Sequence, residues 1–373
     1  MKALRISASV LKILVGMIFI ISAISKFITV DSFEMYVFSF GLFPLGLSFY
    51  VARLVIAFEL ILGAALISHR NHRFTVVMSL IFLLCFILFL TYAHLVGRTD
   101  SCHCFGEMMP FDPVQSILKN AVLIIILLFV YKYTPTGWYP RWWLVIVIYL
   151  AAAGLLYYYM VHFLYALDML ALVFIFVMLC VGVLASMPFY EKWYVTSALV
   201  LAPVVATFIL TPPDSWFYKD TDERFDKELF YEQIGASEPP ASDSLQVASE
   251  PQLAGLGLTE GRHIVAFFSP KCGYCRLAAE KLSTIVTRHN LDSEPILYIF
   301  PQVKDTASYA EFYKESRSPN YGESRIDKTT FVKITRASFP IVLLLDDGDV
   351  KASFAYRNID EQMVKDFLKN DVQ

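Results

Sequence analysis

Residues 267–277 read Phe267-Phe268-Ser269-Pro270-Lys271-Cys272-Gly273-Tyr274-Cys275-Arg276-Leu277. The apolar run from Ile264 to Phe268 predicts a buried strand, and Ser269-Pro270-Lys271 predicts a turn. From Leu277 the apolar residues Ala278, Leu282, Ile285 and Val286 recur at helical spacing. A Cys-x-x-Cys therefore falls on a strand-to-helix corner, its first sulfur at the helix N-terminus. Unpaired N–H groups and the helix dipole favour an anion there, which stabilises the Cys272 thiolate. Cys275 lies three residues on, within reach of a disulfide back to Cys272. The other uses of such a pair are a structural disulfide or half a zinc site. Zinc would need a second Cys or His pair, and none with that spacing follows.

Residues 251–373 resemble a thioredoxin-like domain. Cys272-Gly273-Tyr274-Cys275 matches that family's active-site motif. Ser338-Phe339-Pro340 and the apolar run Ile341 to Leu345 are similar to its cis-proline loop and following strand. The resemblance implies that Phe339 and Pro340 lie beside Cys272 and contact its disulfide or its substrate. The stretch between Cys275 and Pro340 is longer than in a minimal thioredoxin. The added length includes two predicted helical segments, Glu311 to Ser318 and Asp327 to Thr335.

The whole chain has 373 residues, 57% of them hydrophobic and 17% charged, with a mean hydropathy of +0.54. That is the composition of a polytopic membrane protein. The net charge of −3 gives no support for nucleic acid as a partner. Most of the charge lies beyond residue 213, so the main domain boundary falls there. Cys85 and Cys180 sit inside apolar runs as small packing residues. The other four of the six cysteines form two close pairs, Cys102/Cys104 and Cys272/Cys275. Such pairs outside apolar runs suggest redox work in an oxidising compartment.

Seven apolar runs are long enough to span a bilayer: 8–28, 46–67, 74–96, 114–133, 142–163, 168–187 and 193–211. The first reads as a retained signal anchor. With a cytoplasmic N-terminus, the inner side holds Lys2, Arg5, Lys12, Arg70, Arg73, Lys132, Arg141 and Lys192. The outer ends then hold Lys26, Arg53, Arg98 and Lys119. Eight basic residues inside against four outside follow the positive-inside rule, and the tail then lies outside. Either way, the even number of spans between the loop at 97–113 and the tail puts both cysteine pairs on one face. Asp31 to Leu45 is too short to span and reads as an interfacial or half-inserted helix. Residues 212–250, rich in Pro, Ser, Asp and Glu, read as a linker of 39 residues with one short amphipathic helix at Phe225, Leu229 and Phe230. A flexible linker of that length has an r.m.s. span of about 35 Å.

Three elements of the first four spans resemble the DoxX-like family and its MauE branch, the methylamine-utilisation membrane proteins. They are Phe19-Ile20-Ile21-Ser22-Ala23-Ile24-Ser25-Lys26-Phe27, the Glu-x-x-x-Gly of Glu59 and Gly63, and the loop Ser101-Cys102-His103-Cys104-Phe105-Gly106. The resemblance covers about residues 8–133 and implies a role in redox maturation of exported enzyme subunits.

Read from the residues themselves, Cys102 and Cys104 would close a small, strained and readily exchanged disulfide ring. His103, and His94 at the outer end of the third span, would lower a thiol pKa or shuttle protons. Two other readings stay open. One is a loop staple. The other is copper(I) held by Cys102, His103, Cys104, Met108 and Met109. Glu59 lies inside the second span, with Lys26 and Arg53 in the outer parts of the first two. They read as an ion pair fixing helix packing, or as a proton or quinone site below the loop.

The sequence thus predicts a membrane all-α bundle of about seven helices plus a C-terminal α/β thioredoxin-like domain. Its parts are a MauE/DoxX-like domain (1–133), three further spans (134–211), an extracytoplasmic linker (212–250) and the thioredoxin-like domain (251–373). The expected activity is thiol–disulfide exchange by Cys272 and Cys275, regenerated by Cys102 and Cys104, in a bacterial inner membrane. Expected partners are membrane lipid and exported thiol or disulfide proteins. No metal is assigned, and quinone is the one cofactor considered. The alternatives are a non-catalytic scaffold for exported clients and a copper-handling protein.

Overall fold

The computed structural model describes residues 2–68, 72–96, 112–134, 193–212, 225–236 and 251–369, with isolated backbone positions at 147, 151, 154 and 158. The chain divides into two compact units, Met1–Pro213 and Asp214–Gln373.

The first unit is helical: α1 Lys2–Ile28, α2 Val30–Ser39, α3 Leu45–Ser68, α4 His72–Leu95, α5 Pro113–Tyr133 and α6 Trp193–Leu210. Four of these, α1, α3, α4 and α5, are long and apolar enough to cross a membrane. At 1.5 Å per residue each exceeds the ~30 Å of a hydrocarbon core. They occupy the first four predicted spans. The predicted spans at 142–163 and 168–187 lie outside the described residues. The span predicted at 193–211 is the 18-residue helix α6, with Pro203 inside it. The segment predicted to be interfacial contains α2, which ends before Gly41, where φ is +71°. Only glycine enters that region readily.

Apolar side chains join these helices. Val15 and Phe19 of α1 share a buried cluster with Leu62 and Leu66 of α3, Val76 and Leu83 of α4, and Leu123, Leu127 and Val130 of α5. Two glycines, Gly16 of α1 and Gly63 of α3, meet backbone to backbone where these helices cross. A Cβ on Gly16 would lie 2.7 Å from Ile67 Cγ1 and 2.9 Å from the Gly63 carbonyl oxygen. One on Gly63 would lie 2.7 Å from Ile20 Cγ1 and 2.9 Å from the Gly16 carbonyl oxygen. Small residues at such crossings let backbones meet where lipid offers no hydrophobic drive to association.

The second unit is α/β. Its elements are α7 Lys227–Ile234, β1 Arg262–Phe267, α8 Gly273–His289, β2 Ile296–Pro301, α9 Ala307–Ser316, β3 Glu323–Ile326, α10 Lys328–Ile334, β4 Ile341–Asp346, β5 Asp349–Phe354 and α11 Glu361–Lys369. The five strands lie in the order β3-β2-β1-β4-β5. Central β1 pairs in parallel with β2 (Ile264 opposite Ile296) and antiparallel with β4 (Ile264 opposite Leu344). Burial on both faces explains the unbroken apolar run from Ile264 to Phe267. A βαβ unit followed by a β-hairpin and helix, around a cis Phe339-Pro340 bond, is the thioredoxin-like arrangement. Strand β3 is an added edge that the sequence reading did not place.

One expectation is corrected. The predicted linker at 212–250 contains part of this unit's core. Phe225, Phe230 and Ile234 are buried with Val265, Phe267, Ile341 and Leu343. Asp226 caps α7 by accepting the Leu229 N–H at 3.1 Å, and its own N–H donates to the Ile334 carbonyl at 2.7 Å. The unit therefore begins by Phe225, not at 251. The apolar face of a short helix outweighs the polar composition around it. Residues 213–224 and 237–250 lie outside the described residues.

Candidate active site

At the end of β1 the Cys272 N–H donates to the Ser269 carbonyl at 3.1 Å, closing the turn. Cys272 is the N-cap of α8, with φ −86° and ψ 118°, and its sulfur accepts the Cys275 N–H at 3.3 Å. N-cap side chains normally accept through oxygen; here a sulfur takes that role. The Cys272 thiol is pulled down to about 7. The largest cause is its hydrogen bond with the Cys275 side chain; the Cys275 and Tyr274 N–H groups and the Arg276 charge act the same way, against burial. Cys275 is fully buried, and burial drives its thiol well up, although its sulfur accepts the Ser269 N–H at 3.4 Å. Both are free thiols. One corner thus holds a half-buried thiol whose pKa is lowered and a buried one whose pKa is raised.

Phe339 and Pro340 stand at the same end of the sheet. Ile341 is opposite Phe267 in the β1–β4 pairing, so the cis-proline loop is level with the residues leading into the Cys272 turn. The Phe339 ring packs 6.0 Å from that of Phe331.

Three neighbours were not anticipated from sequence. Arg276 donates to the Pro270 carbonyl through Nε (3.3 Å) and Nη2 (3.2 Å) and pairs with Glu315 of α9. It therefore braces the turn while adding positive charge beside Cys272. Tyr274, 48% exposed between the cysteines, packs with its ring 5.6 Å from that of the buried Tyr356, tilted by 40°. Lys281 is fully buried, with its ammonium donating to the Tyr356 carbonyl at 3.0 Å and lying 4.9 Å from its ring. The helical spacing of Arg276, one turn after Cys272, was visible in sequence; its partner Glu315 and the Tyr356 contacts are set by tertiary packing.

In the helical unit, Lys26 Nζ donates to both Glu59 oxygens at 2.7 Å and to Ser22 Oγ at 2.8 Å, while Ser22 donates to Glu59 at 3.3 Å. Lys26 is 1% and Glu59 5% exposed. Both Glu59 and Gly63, one turn apart, face α1. The Glu-x-x-x-Gly element thus has a physical sense: glycine brings α1 close and glutamate receives its lysine. A cavity of about 20 Å³ borders this pair, lined also by Phe82 and Phe86 of α4 and by Lys119 and Asn120 of α5. Its size is that of one water. His94 is exposed in the last turn of α4 and does not line the cavity. Cys102, His103 and Cys104, with Met108 and Met109, lie outside the described residues. Among the described residues no cluster of three or more His, Cys, Asp or Glu forms a metal site.

Residues 4–133 match the family described as methylamine utilisation protein MauE. The chain is 27% identical over 319 residues to Protein TlpB of Flavobacterium psychrophilum, across 82% of this chain and 79% of that one. It is also similar to the solution structure of a thiol:disulfide interchange protein from Bacteroides sp., at 15% identity and a TM-score of 0.26, covering 31% of this chain and 78% of that one. The strand order, the cis-proline and the capped Cys-x-x-Cys carry the fold assignment of the second unit. The chain therefore joins a helical region that matches the MauE family over residues 4–133 to a C-terminal domain of thioredoxin-like fold.

Proposed function

We propose that this protein is a membrane-bound thiol–disulfide oxidoreductase serving exported proteins. The observation that carries the reading is the geometry of the corner: Cys272 Sγ, half-buried at the N-cap, accepts the Cys275 N–H at 3.3 Å while the Cys275 thiol is buried beneath it, an arrangement that lowers the first thiol's pKa and raises the second's. A nucleophile in exchange must be a thiolate, and a resolving thiol must stay protonated until needed. The Cys272 thiolate attacks one sulfur of a client disulfide. A mixed disulfide forms, and the other client sulfur leaves as a thiolate that takes up a proton. Cys275 then loses its proton, attacks Cys272 Sγ and displaces the second client sulfur as a thiol. The client has gained two electrons and two protons, and Cys272–Cys275 is oxidised. Run backwards, the same steps oxidise a client dithiol. Phe339 and Pro340 would border the client strand.

In this reading Cys102 and Cys104 regenerate the Cys272/Cys275 pair by the same exchange, and His103 and His94 serve its protons. The even-span count supports placing both pairs on one face, and the excess of basic residues on the N-terminal side supports a tail outside the cytoplasm, in a bacterial inner membrane. Lys26, Glu59 and their cavity act as a water and proton site. At about 20 Å³ the cavity is far below the size of pockets that hold ring ligands, so a quinone would need the bundle to open there.

The test is insulin disulfide reduction by the full chain in detergent with dithiothreitol as donor. Wild type accelerates it and Cys272→Ala does not. Equal, background rates for both would favour a non-catalytic scaffold.

A further inference from the structure

Arg53 of α3 is 2% exposed, and its guanidinium reaches three separate parts of the helical unit. It pairs with Glu34 of α2, itself 1% exposed. It donates to the Phe49 carbonyl of its own helix at 3.0 Å. Through Nε and Nη2 it donates to the carbonyls of Thr211 and Pro212, the latter at 3.2 Å. Those two residues directly follow α6.

The end of a helix carries unpaired carbonyls and partial negative charge. A planar, permanently charged guanidinium with several donors suits that end better than an ammonium. Glu34 balances the charge, as a buried cation requires. Apolar contacts support the same placement: Tyr50 of α3 lies 5.9 Å from Phe208 of α6, and Leu210 packs on the cluster formed by α1, α2 and α3. Helix α6 falls outside the MauE match, whereas Glu34 and Arg53 fall within it.

We propose that Arg53 is a positioning residue that seats the end of α6 on the MauE-family domain, and so fixes the point from which the chain departs toward the thioredoxin-like domain. From Pro212 to Phe225 the chain spans about 45 Å at full extension. The reach of Cys272 is then measured from the Arg53 clamp rather than along a free linker from 212 to 250. The purpose of this anchor rests on the relay proposed above; the anchoring itself does not.

The test uses the full chain in nanodiscs, with native cysteines replaced and spin labels at the exposed positions Leu47 of α3 and Ile209 of α6. A single narrow distance distribution is expected with Arg53, a broad one with Arg53→Gln, and an intermediate one with Arg53→Lys. The lysine variant decides the matter if the glutamine variant does not fold. Unchanged distributions in the variants would overturn the proposal. In the native-cysteine chain carrying Cys275→Ala, Arg53→Gln should lower the yield of an internal mixed disulfide roughly threefold or more, with the alkylation rate of Cys272 unchanged. Broadened distances with an undiminished yield would overturn the positioning role. No internal disulfide even with Arg53 present would remove the relay, while the distance result would still decide the anchor.

Discussion

Cys272 Sγ and the Cys275 N–H are 3.3 Å apart, so the first turn of α8 solvates one thiol while burying the other. A depressed acid is charged above its pKa and neutral below it. Alkylation of Cys272 should therefore rise about tenfold per pH unit below about 7 and level off above it. Cys275→Ala removes the largest cause of the depression, the side-chain hydrogen bond. Its midpoint should move up toward the roughly 8.5 of a free thiol. Stopped-flow alkylation against pH measures both; a midpoint that ignores Cys275 contradicts the account.

Arg276 contributes charge and a braced turn. Arg276→Met should raise the Cys272 pKa and slow its alkylation at pH 6 by roughly two- to fivefold. Glu315→Gln should shift it the other way, because the guanidinium would lose its neutralising partner. Equal rates in all three proteins would show that Arg276 acts only on packing.

Lys26 and Glu59 form a buried pair, so single and double replacements should differ. Lys26→Met leaves a buried carboxylate without its ammonium and should cost about 3–5 kcal/mol. The double change Lys26→Met with Glu59→Met should cost much less. Thermal unfolding in detergent reads the difference, and equal losses would mean that the two charges are not coupled.

The contact between α1 and α3 makes a steric prediction. Gly63→Ala places a methyl group 2.9 Å from the Gly16 backbone oxygen, which cannot swing aside as a side chain can. A loss of about 1–3 kcal/mol is expected. Gly46→Ala, with no atom within 4 Å, is the matched control and should change little.

The sequence made the Cys-x-x-Cys corner legible because every determinant is local: an apolar strand, a turn, two cysteines and a helical period within a few residues. The four long helices α1, α3, α4 and α5 were legible from length and apolarity alone. What escaped depended on distant partners. Arg276 meets Glu315 and Lys281 meets Tyr356 only after β2, α9 and the hairpin have packed. Arg53 read as a span charge, but its acid, Glu34, sits on the short helix between two spans. The short amphipathic helix at Phe225, Leu229 and Phe230 was legible, but its docking was not, because its partners Val265, Phe267, Ile341 and Leu343 are distant in sequence. Edge strand β3, Glu323–Ile326, carries little alternating apolar pattern, so periodicity gave no signal.

The central claim is exchange between the two cysteine pairs of one chain. Cys275→Ala removes the resolving thiol that normally clears a mixed disulfide. In membranes carrying that variant, non-reducing electrophoresis and peptide mapping should find Cys272 bonded to Cys102 or Cys104 of the same chain. The species should vanish when Cys102 and Cys104 are also replaced. Cys272 found only as a free thiol, or bonded only to other proteins, would contradict the relay and leave the thioredoxin-like domain an oxidoreductase that the helices merely anchor.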